Sequence, residues 1–172
     1  ITAYGQVNSG KGNEAININD GSTSVAQANS LDLLTTAAIT ATITEGDATT
    51  LKTLTENTNN NVYAITMTDA SVAAGDISTI KGVNTNGTIA FHNDVATVTG
   101  TAAAVITAYG QVNSGKGNEA ININDGTASV AQARSLNGLT DGNVTATITG
   151  TETISAILNT DTGINESGGS NA

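Results

Sequence analysis

Four aspartates are placed where they could bind a cation, each at the turn between a predicted strand and a predicted helix: Asp20, Asp47, Asp69 and Asp125. Carboxylates and turn carbonyl oxygens are ligands that Ca²⁺ prefers, so aspartates from several turns could share one ion. The spacing matches neither an EF-hand loop nor a GGxGxD nonapeptide, and a single aspartate at a helix start also caps the helix. We therefore expect helix caps and no cofactor, with weak calcium binding as the alternative.

A glycine-rich segment, GQVNSGKG, occupies residues 5–12 and returns at residues 110–117. Its spacing is that of the phosphate-binding motif G-x-x-x-x-G-K-[ST], but the last position is glycine instead of the hydroxyl that holds Mg²⁺. The segment also precedes a predicted strand, whereas such a loop has to lead into a helix N-terminus to cradle phosphate. The triad Gly10, Gly12 and Ala15 imitates a dinucleotide motif with the same fault of order. We predict a turn between structural units.

His92 is the single histidine, it lies beside Asn93 and Asp94 in a polar turn, and the chain has no cysteine. A zinc site would have to rely on carboxylates, and a Ser-His-Asp triad would need the imidazole in a pocket. The HExxH motif is also missing from the sequence. We therefore expect the protein not to be an enzyme.

Threonine and asparagine alternate with apolar residues in the predicted strands, so they lie on the opposite face from the core. Parallel strands lie about 4.8 Å apart, so these side chains should stack into ladders across one flat, neutral face. Such a surface resembles those of ice-binding proteins and could bind ice, another ordered surface or a protein, although β-propensity alone also explains threonine there. The ladder positions are Asn17, Asn19, Thr40, Thr42, Thr44, Thr66, Thr68, Thr97, Thr99, Asn122, Asn124, Thr145, Thr147 and Thr149.

Strands and short helices are needed to position these residues. The apolar half of the alternation, as in Ile39, Ala41 and Ile43, predicts strands buried on one face. After each strand apolar residues recur at helical spacing, first in Val25, Ala28, Leu31 and Leu34, then behind Asp47 and behind Asp69 as predicted N-caps. Each unit should therefore hold one strand and one helix.

The sequence ITAYGQVNSGKGNEAININDG fills residues 1–21 and recurs unchanged at residues 106–126. An intact duplication is typical of repeat arrays, in which like units stack. We predict a single solenoid over 1–172, with units at about 1–13 (partial), 14–38, 39–61, 62–87, 88–118, 119–143 and 144–167 and a frayed tail at 163–172. Between the copies Leu33 becomes Gly138, which indicates that Leu33 is peripheral.

Units of about 25 residues with one strand and one helix have the period of leucine-rich-repeat-like solenoids. Strands joined through a helix run parallel, and their crossover should be right-handed. The predicted fold is therefore an α/β repeat, a right-handed solenoid with one parallel β-sheet and a row of short helices. The alternative is a parallel β-helix.

The composition restricts the partners. Fifteen acidic residues against five basic ones give a formal charge of −10, which repels phosphate backbones and argues against nucleic acid. The longest apolar runs fall far short of the roughly 20 residues that cross a bilayer, so we expect no membrane insertion. Only 2% of the residues are aromatic, so the core has to be packed from small aliphatic side chains.

The segments AITMTDASVAAGDISTIKG (64–82) and VATVTGTAAAVITAYG (95–110) show the unit pattern: a strand, a polar or glycine turn, an alanine-rich helix. They resemble the Ala/Thr/Asn/Gly-rich repeat regions of giant bacterial secreted or cell-surface proteins, including those of marine cyanobacteria. The resemblance implies an extracellular or cell-surface location and a structural or adhesive role as a rigid spacer, filament or coat building block. The implied partner is the protein itself, end to end or laterally, or another surface protein.

Overall fold

The computed structural model describes residue 6, residues 9–57 and residues 60–149, and for Asp20 it describes the backbone alone. The predicted tail at 163–172, most of the unit at 144–167 and part of the unit at 1–13 lie outside these residues. The strands are β1 (Ile16–Thr23), β2 (Ile39–Ile43), β3 (Val62–Met67), β4 (Ser71–Ala73), β5 (Thr88–Phe91), β6 (Thr97–Gly100), β7 (Ala120–Ile123) and β8 (Val144–Thr145). The helices are α1 (Val25–Asp32), α2 (Ala48–Leu51), α3 (Ala74–Val83), α4 (Ala102–Gln111) and α5 (Val130–Asn137).

The strands form two parallel sheets of four strands each, in the orders β1-β2-β3-β5 and β4-β6-β7-β8. The predicted α/β class with parallel strands and several helices is confirmed, but the prediction of one sheet is wrong. The physical reason is that two additional short strands, β4 and β6, each lie between a strand of the first sheet and the helix that follows it. After β3 and β5 the chain turns at residues 68–70 and 92–96 and forms β4 and β6, which belong to the second sheet.

Paired strand residues lie 20 to 26 positions apart in the chain, from Ser22 with Thr42 to Ser71 with Thr97. The main strands begin at residues 16, 39, 62, 88, 120 and 144. Because each pairing joins one stretch of chain to the next, hydrogen bonds between neighbouring stretches are the main long-range backbone contacts of the fold.

The core is made of small aliphatic side chains from the inward faces of strands and helices. Strand β2 alternates between buried and exposed residues, as its sequence predicts, and Leu51 and Ile77 of the helices are fully buried. Leu33 is 77% exposed, which confirms that it is peripheral. Phe91 and Tyr109 pack edge to face, with ring centroids 6.4 Å apart.

The two copies of the duplicated block, and the residues that follow them, share several local contacts. The backbone oxygen of Glu14 accepts a hydrogen bond from Thr35 Oγ1, and that of Glu119 accepts one from Thr140 Oγ1, both at 2.6 Å. Both α1 and α5 start with a capping box, formed by Ser24 with Gln27 and by Ser129 with Gln132. The strands differ, because the first copy is extended over Ile16–Thr23, whereas the second copy ends its strand at Ile123 and turns at Gly126 with φ +90°. Identical sequence therefore gives the same contacts at some positions 105 residues apart and a different backbone conformation at others.

Candidate functional site

The threonine and asparagine ladder positions are divided between the two sheets. On the first sheet lie Asn17, Asn19, Thr40, Thr42 and Thr66; on the second lie Thr97, Thr99, Asn122 and Thr145; and Thr44, Thr68, Asn124, Thr147 and Thr149 follow strand ends. Thr97 and Thr99 are half-buried and the others are exposed. The expected single flat face is therefore wrong, because the chain builds two sheets where the alternation predicted one.

The register of the sheets also determines which side chains become neighbours on the exposed faces. Thr40 lies beside Val62, Thr42 beside Ala64, and Thr66 beside Ala90. These neighbours are apolar because β3 and β5 carry valine and alanine at outward positions. Ladder asparagines do lie opposite ladder threonines, Asn17 beside Thr40 in the first sheet and Asn122 between Thr99 and Thr145 in the second. The exposed faces are therefore mixed surfaces of hydroxyl, amide and methyl groups.

A second set of polar side chains joins neighbouring stretches of chain; two of them, Asn61 and Asn84, are buried, whereas Asn113 is exposed. Asn61 Oδ1 accepts a hydrogen bond from Ile39 N at 2.8 Å, and Asn84 Oδ1 accepts one from Tyr63 N at 3.0 Å. Asn113 Oδ1 accepts in the same way from Ile89 N at 2.9 Å. We call Asn61, Asn84 and Asn113 the asparagine rungs. Sequence analysis missed them, although an asparagine a few residues before each return of the strand pattern was a visible signal.

Asp32 is the most enclosed carboxylate of the described residues, at 2% exposure. It accepts hydrogen bonds from Asn61 Nδ2 at 2.9 Å, from Thr55 Oγ1 at 3.2 Å and from Asn57 N at 3.2 Å. These donors satisfy a carboxylate whose burial would otherwise be costly. Asp32 therefore holds α1 against the loop that precedes β3.

The predicted cation ligands act at helix starts. Asp47 caps α2 by accepting from Thr50 N at 2.8 Å, which confirms the predicted cap. Asp69 accepts from Ala48 N at 2.7 Å, and so serves α2 of the preceding stretch. Its prediction as the cap of α3 is wrong, because Ser71–Ala73 form β4 and α3 starts only at Ala74.

Glu45 repeats this arrangement on α1, since its Oε2 accepts from Val25 N at 3.0 Å. Partial burial acts to raise the pKa of Glu45, but hydrogen bonds from Thr44 and Val25 outweigh it and lower that pKa. Hydrogen bonds from Thr50 likewise lower the pKa of Asp47. Both carboxylates are stabilised in the charged form by the helix ends that they cap.

Of the remaining candidates, Asp125 is exposed and the side chain of Asp20 lies outside the described residues. Among the residues that the structure describes, no three acidic or histidine side chains are grouped to hold a metal ion. His92 lies in an exposed turn, with Nδ1 3.0 Å from Asp94 Oδ2. Calcium binding therefore stays a prediction without an assembled site in this part of the chain.

The glycine-rich segment begins in a helix and ends before a strand. In its second copy Gly110 belongs to α4, and β7 starts three residues after Gly117. The Gly117 amide donates to Glu119 Oε2 at 2.9 Å, and in the first copy the Gly12 amide donates to Glu14 Oε2 at 2.8 Å. In each copy, the glycine amide that would have to donate to a bound phosphate therefore already donates to a glutamate carboxylate of the same chain.

Glu119 is buried and also accepts from the Tyr109 hydroxyl at 2.9 Å. Burial, followed by this contact, raises the pKa of Tyr109. Burial also raises the pKa of Tyr63, to which the negative charges of Asp32 and Glu56 contribute. Both phenols therefore stay neutral well above physiological pH and act as core side chains.

Two surface depressions occupy equivalent positions in the two copies. The first, of about 480 Å³, is lined by Gly12, Asp32, Leu33, Leu34, Thr35, Thr36 and Asn57. The second, of about 380 Å³, is lined by Gly117, Asn137, Gly138, Leu139, Thr140, Asp141 and Gly142. Six of these positions correspond at an offset of 105, so the depressions arise from the repeated turn that follows α1 and α5.

No family model, curated protein or solved structure matches this chain. Within the described residues, no helix has the length and apolar character needed to cross a membrane. The residue chemistry is therefore the basis for a functional assignment: most inward polar groups join neighbouring stretches of chain, and the outward ones form neutral strand faces.

Proposed function

We propose that this chain is a structural and adhesive repeat segment of a large extracellular or cell-surface protein. In this proposal it is a right-handed α/β solenoid of leucine-rich-repeat-like spacing, with two parallel sheets in place of one and a row of short helices. It serves as a rigid spacer, filament or coat building block. Its partners are other copies of itself or other surface proteins.

The observation that carries the proposal is the equivalence of contacts 105 residues apart. The amide of Thr36 donates to Gly12 O, and the amide of Asp141 donates to Gly117 O, each at 2.6 Å. The same equivalence holds for the bond from Thr35 Oγ1 to Glu14 O and the bond from Thr140 Oγ1 to Glu119 O. When each unit contacts only its neighbours in this way, the free energy of unfolding is approximately the sum of the contributions of the units and of the interfaces between them.

The asparagine rungs support a stiff array. Asn61 and Asn84 are fully buried, and each satisfies a backbone amide of the preceding strand. A buried amide without a partner costs about 1–3 kcal/mol, so a slip of one stretch against the next is penalised at every rung. The carboxylates of Glu45 and Asp69 add bonds to the helix starts of the preceding stretch. A spacer needs resistance of this kind to sliding and bending.

Truncation tests the array. We compare the full chain with one ending at Thr149 and one ending at Gly117, by urea unfolding followed by circular dichroism. If the chain is an array, the free energy of unfolding and its dependence on urea concentration should fall in steps, roughly in proportion to the buried surface removed. The shortest chain should still unfold cooperatively. Complete unfolding of the chain that ends at Gly117 would contradict the array, because residues 9–117 would then lack independent stability.

Labelling of intact cells tests the location and role. Antibodies against this chain should label the outer surface of unpermeabilised cells of the source organism, or detect the protein in the medium. Antibodies against a cytoplasmic protein of the same cells are the control. Labelling that requires permeabilisation, as the control does, would overturn the extracellular assignment.

A further inference from the structure

Glycine follows an aspartate or an asparagine at five places in the chain, and such pairs can rearrange without an enzyme. The glycine amide nitrogen attacks the side-chain carbonyl carbon Cγ of the preceding residue and closes a five-membered imide. Glycine permits the attack most readily because it has no Cβ to restrict the backbone. The five pairs are Asp20–Gly21, Asn86–Gly87, Asp125–Gly126, Asn137–Gly138 and Asp141–Gly142.

The structure restrains both asparagine pairs through the glycine amide. Gly87 N donates to Asn84 O at 3.2 Å, and Gly138 N donates to Arg134 O at 3.1 Å. Gly87 is also buried, and a Cβ added to it would clash with Asn84 Oδ1, so this turn is closely packed. A nitrogen whose hydrogen is bound in this way has to leave its acceptor before it can attack. Both asparagine pairs are therefore protected in the folded chain.

The pair of Asp141 with Gly142 is restrained in the same way. Gly142 N donates to Thr140 Oγ1 at 2.9 Å. A Cβ added to Gly142 would lie 2.5 Å from Glu119 O, so this turn also packs closely on the preceding stretch of chain. Attack at this pair therefore requires the turn to open. Asp20 belongs to β1, and its side chain lies outside the described residues.

Asp125 and Gly126 differ from the restrained pairs, because both residues are exposed. Gly126 has φ +90°, and the position of an added Cβ has no neighbour within 4 Å. Among the described residues, the Gly126 amide has no acceptor and the Asp125 carboxylate has no donor. The nitrogen and the carboxyl carbon can therefore meet without the loss of a contact.

The backbone around this pair also has spare length. Asn122 pairs with Thr145, and Ala128 is bridged to Ile148. The chain advances six residues between its two anchors while the neighbouring stretch advances three, so residues 124–127 bulge outward. The main chain of the bulge can therefore rotate while both anchors keep their partners.

Neighbouring stretches of chain leave this turn open. Residues 88–118, which precede it, are described, and Asp125 and Gly126 are exposed beside them. In the first copy the following unit is described over residues 39–57, and the equivalent Gly21 is exposed beside it. Neither a preceding nor a following unit therefore covers the turn.

We propose that Asp125 is the residue at which the fold leaves this rearrangement unhindered, so that the folded protein isomerises to isoaspartate there. The Gly126 nitrogen bonds to Asp125 Cγ, and its hydrogen leaves with the carboxyl hydroxyl as water. Water then opens the imide at either carbonyl carbon. Opening at Cγ restores aspartate, whereas opening at the main-chain carbonyl carbon leaves the peptide bond on Cγ and a free carboxylate on Cα. Water is lost and regained, so the composition of the chain does not change.

The product differs from aspartate in a way that an enzyme can read. Isoaspartate adds one carbon to the main chain and presents its carboxylate at an exposed turn, where an S-adenosylmethionine-dependent isoaspartyl methyltransferase can esterify it. Because the bulge lies between intact strand pairs, the longer main chain should fit with little loss of stability. This modification site goes beyond the proposed function and does not depend on it.

Ageing of the full chain at physiological temperature tests the site, with one sample folded in buffer and one unfolded in guanidinium chloride. Trypsin places Asp125, Asn86 and Asn137 on three different peptides. Electron-transfer fragmentation locates isoaspartate in each peptide, and methylation by an isoaspartyl methyltransferase measures its amount.

Asp125 and Asp141 form the matched pair, since each is an aspartate before glycine. In the unfolded chain the two should react at similar rates. Folding should slow Asp141 about tenfold or more, because the glycine amide has to leave its acceptor first, and should change the rate at Asp125 by less than about threefold. Asn86 and Asn137, whose deamidation also changes the peptide mass, should be slowed as Asp141 is.

The variant Asp125→Glu blocks the reaction, because glutamate would have to close a six-membered ring, which forms far more slowly, while the charge is kept. The tryptic peptide 117–134 of this variant should contain no more isoaspartate after ageing than before it. Circular dichroism melting should match that of wild type. Isoaspartate that still accumulates in this peptide would come from another residue and would overturn the assignment.

Equal slowing of Asp125 and Asp141 on folding also overturns the assignment, because the turn at Gly126 would then be no more open than the restrained one. Neither result bears on the proposed function, which truncation and cell labelling test separately.

Discussion

At the scale of single residues, the polar side chains of this protein perform two separate tasks. Outward threonines and asparagines make the exposed sheet faces polar and uncharged. Inward side chains such as that of Asn84 bind backbone groups of the preceding stretch of chain, as a neighbouring strand would. Asn84 Nδ2 donates to Tyr63 O at 3.0 Å, while Asn84 Oδ1 accepts from Tyr63 N. Residue type alone does not distinguish the two tasks, but burial does.

The substitution Asn84→Ala should destabilise the fold by about 2–5 kcal/mol, because both backbone groups of Tyr63 lose a partner while they remain buried. Urea unfolding measures the effect. Asn86→Ala, at an exposed position two residues later, is the matched control and should change stability by no more than about 0.5 kcal/mol. Equal effects of the two substitutions would show that the rung contributes nothing particular.

Acid should weaken the protein through its capping carboxylates. The pKa values of Glu45 and Asp47 are lowered in the folded state, so the unfolded chain binds more protons as the pH falls. Their contribution is complete above the unfolded pKa values of about 4.3 and 3.9, and is lost as the pH falls through the lower folded values.

We therefore expect the melting temperature of the double variant Glu45→Gln with Asp47→Asn to fall less between about pH 5 and pH 2.5 than that of wild type. Asp125→Asn removes an exposed charge without removing a cap and serves as the control. Parallel curves for wild type and the double variant would show that these caps do not couple folding to protonation.

At the scale of the elements, the position of an element depends on the stretch of chain beside it. Helix α3 starts at Ala74, and its N-cap residue Ala73 makes no side-chain cap hydrogen bond, since β4 occupies the residues where a cap was expected. The residue type allowed in a turn can also depend on the neighbouring strand. Gly115 has φ +74°, and an added Cβ would lie 2.0 Å from Phe91 O, so the neighbouring strand requires glycine there.

Gly10 is the equivalent residue of the first copy, with φ +73° and open space where a Cβ would lie. Gly10→Ala should therefore cost only the conformational penalty of about 1–2 kcal/mol. Gly115→Ala should cost about 2 kcal/mol more, because the backbone has to move away from Phe91. Equal melting temperatures for the two variants would contradict the close packing of the turn against β5.

At the scale of the whole molecule, order comes from contacts between successive stretches of chain. Small aliphatic side chains fill a narrow core, and hydrogen bonds from asparagine, threonine and carboxylate groups fix the register at its border. The formal charge of −10 makes separate copies repel one another at low salt. These properties are compatible with the structural role proposed above.

Much of this architecture could be predicted because it depends on local pattern. The period-2 alternation of β2 placed Ile39, Ala41 and Ile43 inside, and the structure buries all three. An aspartate before an apolar helical stripe predicted the cap at Asp47. The exchange of Leu33 for glycine in the second copy indicated an exposed position. In each case the deciding interaction lies within a few residues in the chain.

The sequence by itself thus determined the parallel α/β class and the inward faces of its strands and helices. Only the tertiary structure decided that there are two sheets, that Asp69 serves α2 and that Asn84 points inward. The physical reason is the same for all three: each depends on which backbone groups of the preceding stretch lie opposite. That juxtaposition is set by packing across 20 to 26 residues, as in the pairs of Ser22 with Thr42 and Ser71 with Thr97, and local pattern does not encode it.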